Sequence, residues 1–147
     1  MTDRFSELLS ELGKIFQLTL SPDKYNACSI EVAPLTIQLE LDATQENIIL
    51  FTKITDLPPG RFRENVLSEA LKINSLNDPR PGIFGYIART NHLALYQSYP
   101  VNILNGDSLS CLFGSFFELG ESWHRSIQNG QSSPSTTGTR LPLGIKP

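Results

Sequence analysis

The chain has 147 residues, enough for one domain with a buried core, and its apolar content of 39% and charged content of 18% are ordinary for a globular protein. Of its 12 basic residues, Arg140 and Lys146 lie in residues 130–147, which hold no acidic residue, so residues 1–129 carry 10 basic against 15 acidic residues. A net charge of −5 on this body argues against nucleic-acid binding, which requires a basic footprint.

Three features predict a location in the cytoplasm. Cys28 and Cys111 lie far apart with no CxxC motif, which indicates neither a zinc site nor a disulfide framework and fits a reducing compartment. The N-terminus lacks the basic and apolar regions of a signal peptide. No apolar stretch approaches the roughly 20 residues that span a bilayer.

A first helix is predicted from a cap at Thr2 or Asp3 to about Gln17. Its apolar residues follow i, i+3, i+4, i+7 spacing: Phe5, Leu8, Leu9, Leu12, Ile15 and Phe16. This arc is wide, so we expect some of Phe5, Leu8 and Ile15 to face outward. Residues 25–32 then form a short strand, predicted at a sheet edge because Pro34 follows closely.

A β-hairpin over residues 35–54 is the clearest element. In its first strand Leu35, Ile37, Leu39 and Leu41 alternate with polar residues, which predicts one buried and one wet face. In its second strand residues 48–51 are all apolar, so both faces should be covered. A one-sided strand beside a two-sided one predicts a sheet with helices on one face and a partly apolar second face that needs covering.

The second half of the chain predicts a helix, a hairpin and a helix. Prolines and glycine at 58–60 precede a helix over residues 61–76, and a hairpin of residues 83–88 and 93–97 turns at Asn91, which tolerates positive φ. The last helix begins near residues 105–108, with Asp107 or Ser108 as cap, and runs to about Gln128. The fold class is therefore α+β, in the order α-β-β-β-α-β-β-α, with a mainly antiparallel five-stranded sheet and three helices.

Residues 130–147 form a second region. They show no periodicity and are rich in Ser, Thr, Gly and Pro, which predicts a disordered tail after a domain of residues 1–129. Residues 140–145, Arg-Leu-Pro-Leu-Gly-Ile, are also compatible with a short docking motif, and an idle tail is the simpler interpretation.

No constellation of catalytic residues is visible, so the chain is predicted not to be an enzyme and to need no metal or cofactor. His92 lies in a predicted turn. His124 completes a single Glu-x-x-His spacing, whereas carboxylate di-iron bundles need two such motifs and two further glutamates. The aromatic strand of residues 82–89 faintly resembles that of RNA-recognition motifs, but the order of elements and the acidic body argue against RNA binding.

The elements in this order resemble the class I chaperones of type III secretion systems, the Tir-chaperone family. The resemblance covers about residues 3–128. It rests on Phe5-x-x-Leu-Leu-x-x-Leu-Gly13, on Cys28 within Tyr-Asn-Ala-Cys-Ser-Ile30, on Leu57-Pro-Pro59 and Leu71-Lys-Ile-Asn74, on Leu93-Ala-Leu95, and on the aromatic run from Phe116 to Trp123.

The resemblance implies a cytoplasmic, ATP-independent bacterial homodimer. Such a chaperone binds an N-terminal segment of a secreted effector, keeps it extended and delivers it to the secretion apparatus, with the secretion ATPase as a further partner. The alternative is a small adaptor or regulatory interaction domain of similar fold.

The implied sites lie on two surfaces. The first helix and the adjoining sheet would bind the effector, with these candidates: Phe5, Leu8, Leu12, Ile15, Phe16, Leu35, Ile37 and Leu39. The second helix and the strand after it would form the dimer contact, with these candidates: Val66, Leu67, Ala70, Leu71, Ile83, Phe84 and Tyr86. The narrow apolar stripe of the second helix suits packing against its own two-fold copy.

Overall fold

The computed structural model of the protein describes residues 3–76 and 81–134. Three α-helices and five strands follow the predicted order, with one short 3-10 helix before the last α-helix. They are α1 (Arg4–Phe16), β1 (Ala27–Val32), β2 (Leu35–Leu41), β3 (Asn47–Asp56), α2 (Arg61–Asn74), β4 (Ile83–Ile87), β5 (His92–Pro100), the 3-10 helix (Val101–Ile103) and α3 (Gly106–Gln128). The prediction of an α+β domain is confirmed. The sequence predicts a disordered tail over residues 130–147. Residues 135–147 of this tail lie outside the described residues.

The five strands form one open antiparallel sheet with the order β1-β2-β3-β5-β4. β1 is an edge strand, as predicted. It begins at Ala27 rather than residue 25, because residues 23–26 form a turn around Asp23, whose Oδ1 accepts from the amides of Tyr25 and Ala27. The other edge, β4, is capped by α2, since the side chain of Asn74 accepts from the amide of Phe84 and donates to its carbonyl.

The helix starts follow local capping chemistry. Asp3 caps α1 by accepting from the amide of Ser6, as predicted. Asn105, not Asp107 or Ser108, caps α3, and Ser108 completes the capping box from the third helical position. Asn91 takes φ 58° in the β4–β5 turn, which confirms the positive φ expected there.

The helices pack on one face of the sheet. The core between them holds the alternating residues of β2 together with Ile48 and Leu50 of β3. On the opposite face Ile49 and Phe51 remain half-buried. This agrees with the prediction of helices on one face and a partly apolar second face. Within residues 3–76 and 81–134 no helix covers the second side of the central strand.

The turn between β2 and β3 is organised by Asp42. Its carboxylate accepts from the side-chain amide of Asn47 at 2.8 Å and from the backbone amide of Glu46 at 3.0 Å. These hydrogen bonds, chiefly that from the Asn47 side chain, lower the pKa of Asp42 to about 2.

We expect Asp42→Ala to destabilise the β2–β3 hairpin in a pH-dependent manner. Because the pKa of Asp42 is lower in the folded state, its contribution is complete above its ordinary value near 3.8 and is lost as the pH falls towards 2. The difference in melting temperature between the native protein and Asp42→Ala should be largest at pH 5 and shrink at pH 2.5. Glu46→Gln, an exposed change in the same turn, should show no such trend.

Candidate peptide-binding groove

An apolar groove of about 470 Å³ lies where the C-terminal end of α1, the edge strand β1 and the first half of α3 meet. We call it the β1 groove. It is lined by Phe16, Leu18, Ile30, Glu31, Val32, Ser110, Phe113, Gly114 and Phe117. Apart from Glu31 and Ser110, these residues are apolar or glycine, so the surface suits apolar anchors of a ligand more than charged ones.

Aromatic packing between α1 and α3 forms one wall of the β1 groove. The rings of Phe16 and Phe113 pack at a centroid distance of 5.2 Å and an interplanar angle of 57°. A Cβ added at Gly114 would have no atom within 4 Å, so the absence of a side chain there leaves open space in the groove. Phe117, one helical turn further along, is only half-buried.

The end of α1 places Leu18 at the rim of the groove. Gln17 takes a left-handed conformation with φ 60°, and the amide of Leu18 donates to the carbonyl of Gly13 at 2.8 Å. Gly13 permits this return, because a Cβ there would lie 2.5 Å from the Leu18 carbonyl oxygen. The side chain of Leu18 is left 50% exposed.

Beside the groove, β1 has an edge with open hydrogen-bonding groups. The carbonyl of Asn26 accepts from Leu41 on the β2 side, whereas that of Ala27 accepts from Asp23 on the other side. Alternate residues of a strand direct their backbone groups to opposite sides, so those of Ser29 and Glu31 face the free edge. Within the described part of the chain nothing pairs with them, and they can receive an added strand.

The structure moves most of the predicted effector-binding residues into the core. Of Phe5, Leu8 and Ile15, some of which were expected to face outward, only Ile15 does so, whereas Phe5 and Leu8 are 1% and 0% exposed. The other four corrections are Leu12, Leu35, Ile37 and Leu39, all at most 2% exposed. Phe16 lines the β1 groove, and Ile15 is 43% exposed outside its lining.

The reason for this correction is that α3 covers a second side of α1. The Glu11 carboxylate accepts from the amide of Gly106 at 2.6 Å, and Arg4 donates to the carbonyl of Leu104. At Gly106 a Cβ would lie 2.5 Å from the Cβ of Glu11, so the two helices can approach only because this residue is glycine. The wide apolar arc of α1 is thus divided between the sheet and α3, and little of it reaches solvent.

Several groove residues were missed by the sequence analysis. Leu18 lies just beyond the predicted first helix, and neither Phe113 nor Phe117 of the last helix is among the predicted site residues. The available signal is the number of large apolar residues in α3, because eight such residues exceed what one sheet face can cover.

A second apolar surface lies between α2 and the β4–β5 hairpin. We call it the α2–β4 surface. Its lining contains five of the predicted dimer residues, and the full set is Leu67, Ala70, Leu71, Asn74, Phe84, Gly85, Tyr86 and Leu93. Leu71 is 67% exposed, whereas Leu67 and Tyr86 are half-buried.

Three of the predicted dimer residues are already buried within one protomer. Val66, Ala70 and Phe84 are at most 5% exposed, and the ring of Phe84 packs on Trp123 of α3 at 4.4 Å. Their side chains hold α2 against the sheet, so they support the α2–β4 surface from beneath. Ile83 is half-buried on the opposite sheet face, in register with Tyr96.

The polar residues of interest serve the fold. His124 forms a hydrogen bond between its Nδ1 and the carbonyl of Ile54, which ties α3 to β3, and His92 contacts the Thr90 hydroxyl. Among residues 3–76 and 81–134 no group of three or more His, Cys, Asp or Glu side chains could hold a metal ion. In the same ranges no helix is long and apolar enough to cross a membrane.

An open antiparallel sheet with helices on one face, an apolar groove at its free edge and a second apolar surface at the other end define a small peptide- and protein-binding domain. The chain belongs to the Tir chaperone protein (CesT) family, whose family model matches residues 7–124. The predicted resemblance is confirmed, and with it the function of the family, that of a type III secretion chaperone.

Solved structures share this fold at low sequence identity. The chain is 17% identical to one in the HopA1–SchA chaperone–effector complex, with a TM-score of 0.66, covering 85% of this chain and 99% of that one. It is 20% identical to one in the ExsC–ExsE complex, with a TM-score of 0.66 and coverage of 85% and 94%. It is 14% identical to a chain in the structure of the Yersinia pestis type III secretion chaperone SycH bound to a fragment of YscM2. The TM-score there is 0.65, and the match covers 79% of this chain and 96% of that one. No curated protein matches the chain.

Proposed function

We propose that the protein is a cytoplasmic, non-catalytic homodimer that binds the N-terminal segment of one or more type III secreted effectors in the β1 groove. The observation that carries this proposal is the position of that groove beside the open edge of β1. Ser29 and Glu31 offer backbone groups at the edge, and the apolar lining lies directly behind them. An extended peptide can satisfy both at once, because alternate residues bury their side chains while the backbone pairs with the strand.

The complexes among the solved structures support this use of the fold. The HopA1–SchA structure is a chaperone–effector complex, and SycH was solved with a fragment of its partner. The chain covers nearly the whole length of each of these chaperones, so it has the parts that their fold requires. The bound effector would be held extended and passed to the secretion apparatus, with the secretion ATPase as the receiving partner.

The α2–β4 surface is the proposed dimer contact. Its exposed Leu71 lies beside half-buried Leu67 and Tyr86, and these apolar side chains lose contact with water if two copies meet across a two-fold axis. A homodimer places two β1 grooves on one particle, so that a single effector segment can engage both.

The proposal is tested by co-expressing the full chain with N-terminal fragments of secreted proteins from the same genome. Size exclusion with light scattering should show two copies of the chain with one fragment, and proteolysis should cleave the ends of the fragment readily. Because Glu31 borders the groove and the body is acidic, binding of basic fragments should weaken with added salt. A monomer that binds no fragment, or that captures only a compactly folded partner, would contradict the proposal and favour an adaptor.

A further inference from the structure

The last residues of the chain carry a pattern that the chaperone fold does not use. Residues 140–146 read Arg-Leu-Pro-Leu-Gly-Ile-Lys, with apolar side chains at Leu141, Leu143 and Ile145 and a basic residue at each end. This is the period-2 pattern of an extended segment that buries one face. The segment lies outside the described residues, so the pattern comes from the sequence alone.

The position of proline fits pairing on one side only. In an extended segment, residues that share a side-chain face also direct their backbone groups to the same lateral side. Leu141, Leu143 and Ile145 all have an amide hydrogen to donate on that side. Pro142, which has none, lies on the other side, where an added edge strand would face solvent. The segment can therefore add to an open strand edge and also end the sheet there.

The β1 groove offers the matching surface. The free edge of β1 presents the backbone groups of Ser29 and Glu31, and the lining beside it includes Leu18, Val32 and Phe117. Charge is complementary as well: Arg140 and Lys146 meet a body with a net charge of −5, and Glu31 stands at the groove.

The tail is long enough to reach this groove within its own protomer. After α3 the chain is tied back, since the amide of Gln131 donates to the carbonyl of Ser126 at 2.9 Å. From there ten residues lead to Leu141 and span up to about 35 Å when extended. Residues Ser110 to Phe117 of α3 line the groove, and the most distant of them, Ser110, lies about 24 Å back along the helix from Ser126.

We propose that residues 140–146 add as a parallel strand to the free edge of β1 in the same protomer, with Leu141, Leu143 and Ile145 in the β1 groove. The pairing is parallel because in an antiparallel pair the residues that bond to Ser29 and Glu31 would share the exposed side-chain face of those two residues, and not the face of Ile30 that lines the groove. The tail then acts as an internal competitor that a client segment must displace. The docking itself requires no client, whereas the competition rests on the proposed function. If the tail fills the groove nine-tenths of the time, the apparent Kd of a client is raised about tenfold.

Amide hydrogen exchange on the full chain, without any client, tests the docking. In the native protein the amides of Ser29 and Glu31 should exchange at least tenfold more slowly than in the L141D/L143D/I145D variant, because only a docked strand can accept from them. The T136D/T137D/T139D variant adds the same charge to polar tail positions and should retain the protection. Equal exchange in the native and apolar-site variants would overturn the proposal, and so would protection that disappears on dilution, which would mean pairing between copies.

Client affinity then separates this proposal from the proposed function. A fragment that binds should do so about tenfold more tightly to L141D/L143D/I145D than to the T136D/T137D/T139D control. If exchange shows the docked tail and no fragment binds either variant, the tail proposal stands and the client proposal fails. If fragments bind both variants equally and exchange shows no protection, the client proposal stands and the tail proposal fails.

Discussion

Leu71→Asp is expected to convert the proposed homodimer into a folded monomer. Leu71 is 67% exposed on α2 and borders the α2–β4 surface, so in the proposed dimer its side chain is buried by the partner copy. Loss of one buried leucine costs about 1.5–3 kcal/mol, and a two-fold interface loses it twice. The dimer dissociation constant should rise by roughly 10²- to 10⁴-fold, which sedimentation at micromolar concentration will register as a monomer.

The control for this variant is Asn65→Asp, which places the same charge on α2 outside the α2–β4 surface. Asn65 is exposed and does not line the α2–β4 surface, so this variant should remain a dimer. The melting temperature of Leu71→Asp protomers should be measured alongside, since the change lies at a solvent-exposed position and leaves the core intact. If the Leu71→Asp protein stays dimeric, the dimer interface lies on a surface other than the α2–β4 surface.

Leu18→Asp is expected to abolish client binding while leaving the dimer intact. Leu18 is half-exposed at the rim of the β1 groove, where the return of the chain to Gly13 fixes its position. An aspartate there removes an apolar contact and places a charge, without a partner, against the apolar anchors of a bound peptide. Isothermal titration with an effector fragment should show affinity reduced by at least about a hundredfold.

Ile103→Asp is the matched control for this second variant. Ile103 is 70% exposed in the 3-10 helix and lines neither apolar surface. Like Leu18→Asp, this variant replaces an aliphatic side chain with a carboxylate, but it should leave the affinity for the fragment unchanged. Equal losses in both variants would indicate a general effect of added negative charge. Unchanged binding in Leu18→Asp would exclude the β1 groove as the client site.

The two edges of the sheet explain why one end is proposed for clients and the other for the partner copy. At β4 the side chain of Asn74 already pairs with the backbone of Phe84, which obstructs the addition of a strand at that residue and favours a contact made by side chains. At β1 the backbone of Ser29 and Glu31 is open. A peptide can therefore be recognised through its backbone at β1, which tolerates varied sequences.

The sequence was sufficient for the elements because their signals are local. Alternation in β2 has a single interpretation, and breakers at residues 58–60 separate β3 from α2 with little ambiguity. It was insufficient for the second face of β3, because the apolar run at residues 48–51 predicts that this face needs covering and does not show what covers it. The cap of α3 is Asn105 and not the predicted Asp107 or Ser108, because all three polar side chains can cap a helix and the sequence does not show which one does.

By itself, then, the sequence determined the class of fold, the order of its elements, the acidic body and the chaperone family, since these depend on residue type, spacing and order. Only the tertiary structure decided which apolar residues are available to a partner. Phe5 and Leu8 satisfy the same helical pattern as Ile15, yet the first two are buried and the third is exposed. The difference arises because α3, distant in sequence, approaches α1 through Gly106 and covers one side of it. Exposure is a property of what packs against a residue, and a local pattern contains no record of that neighbour.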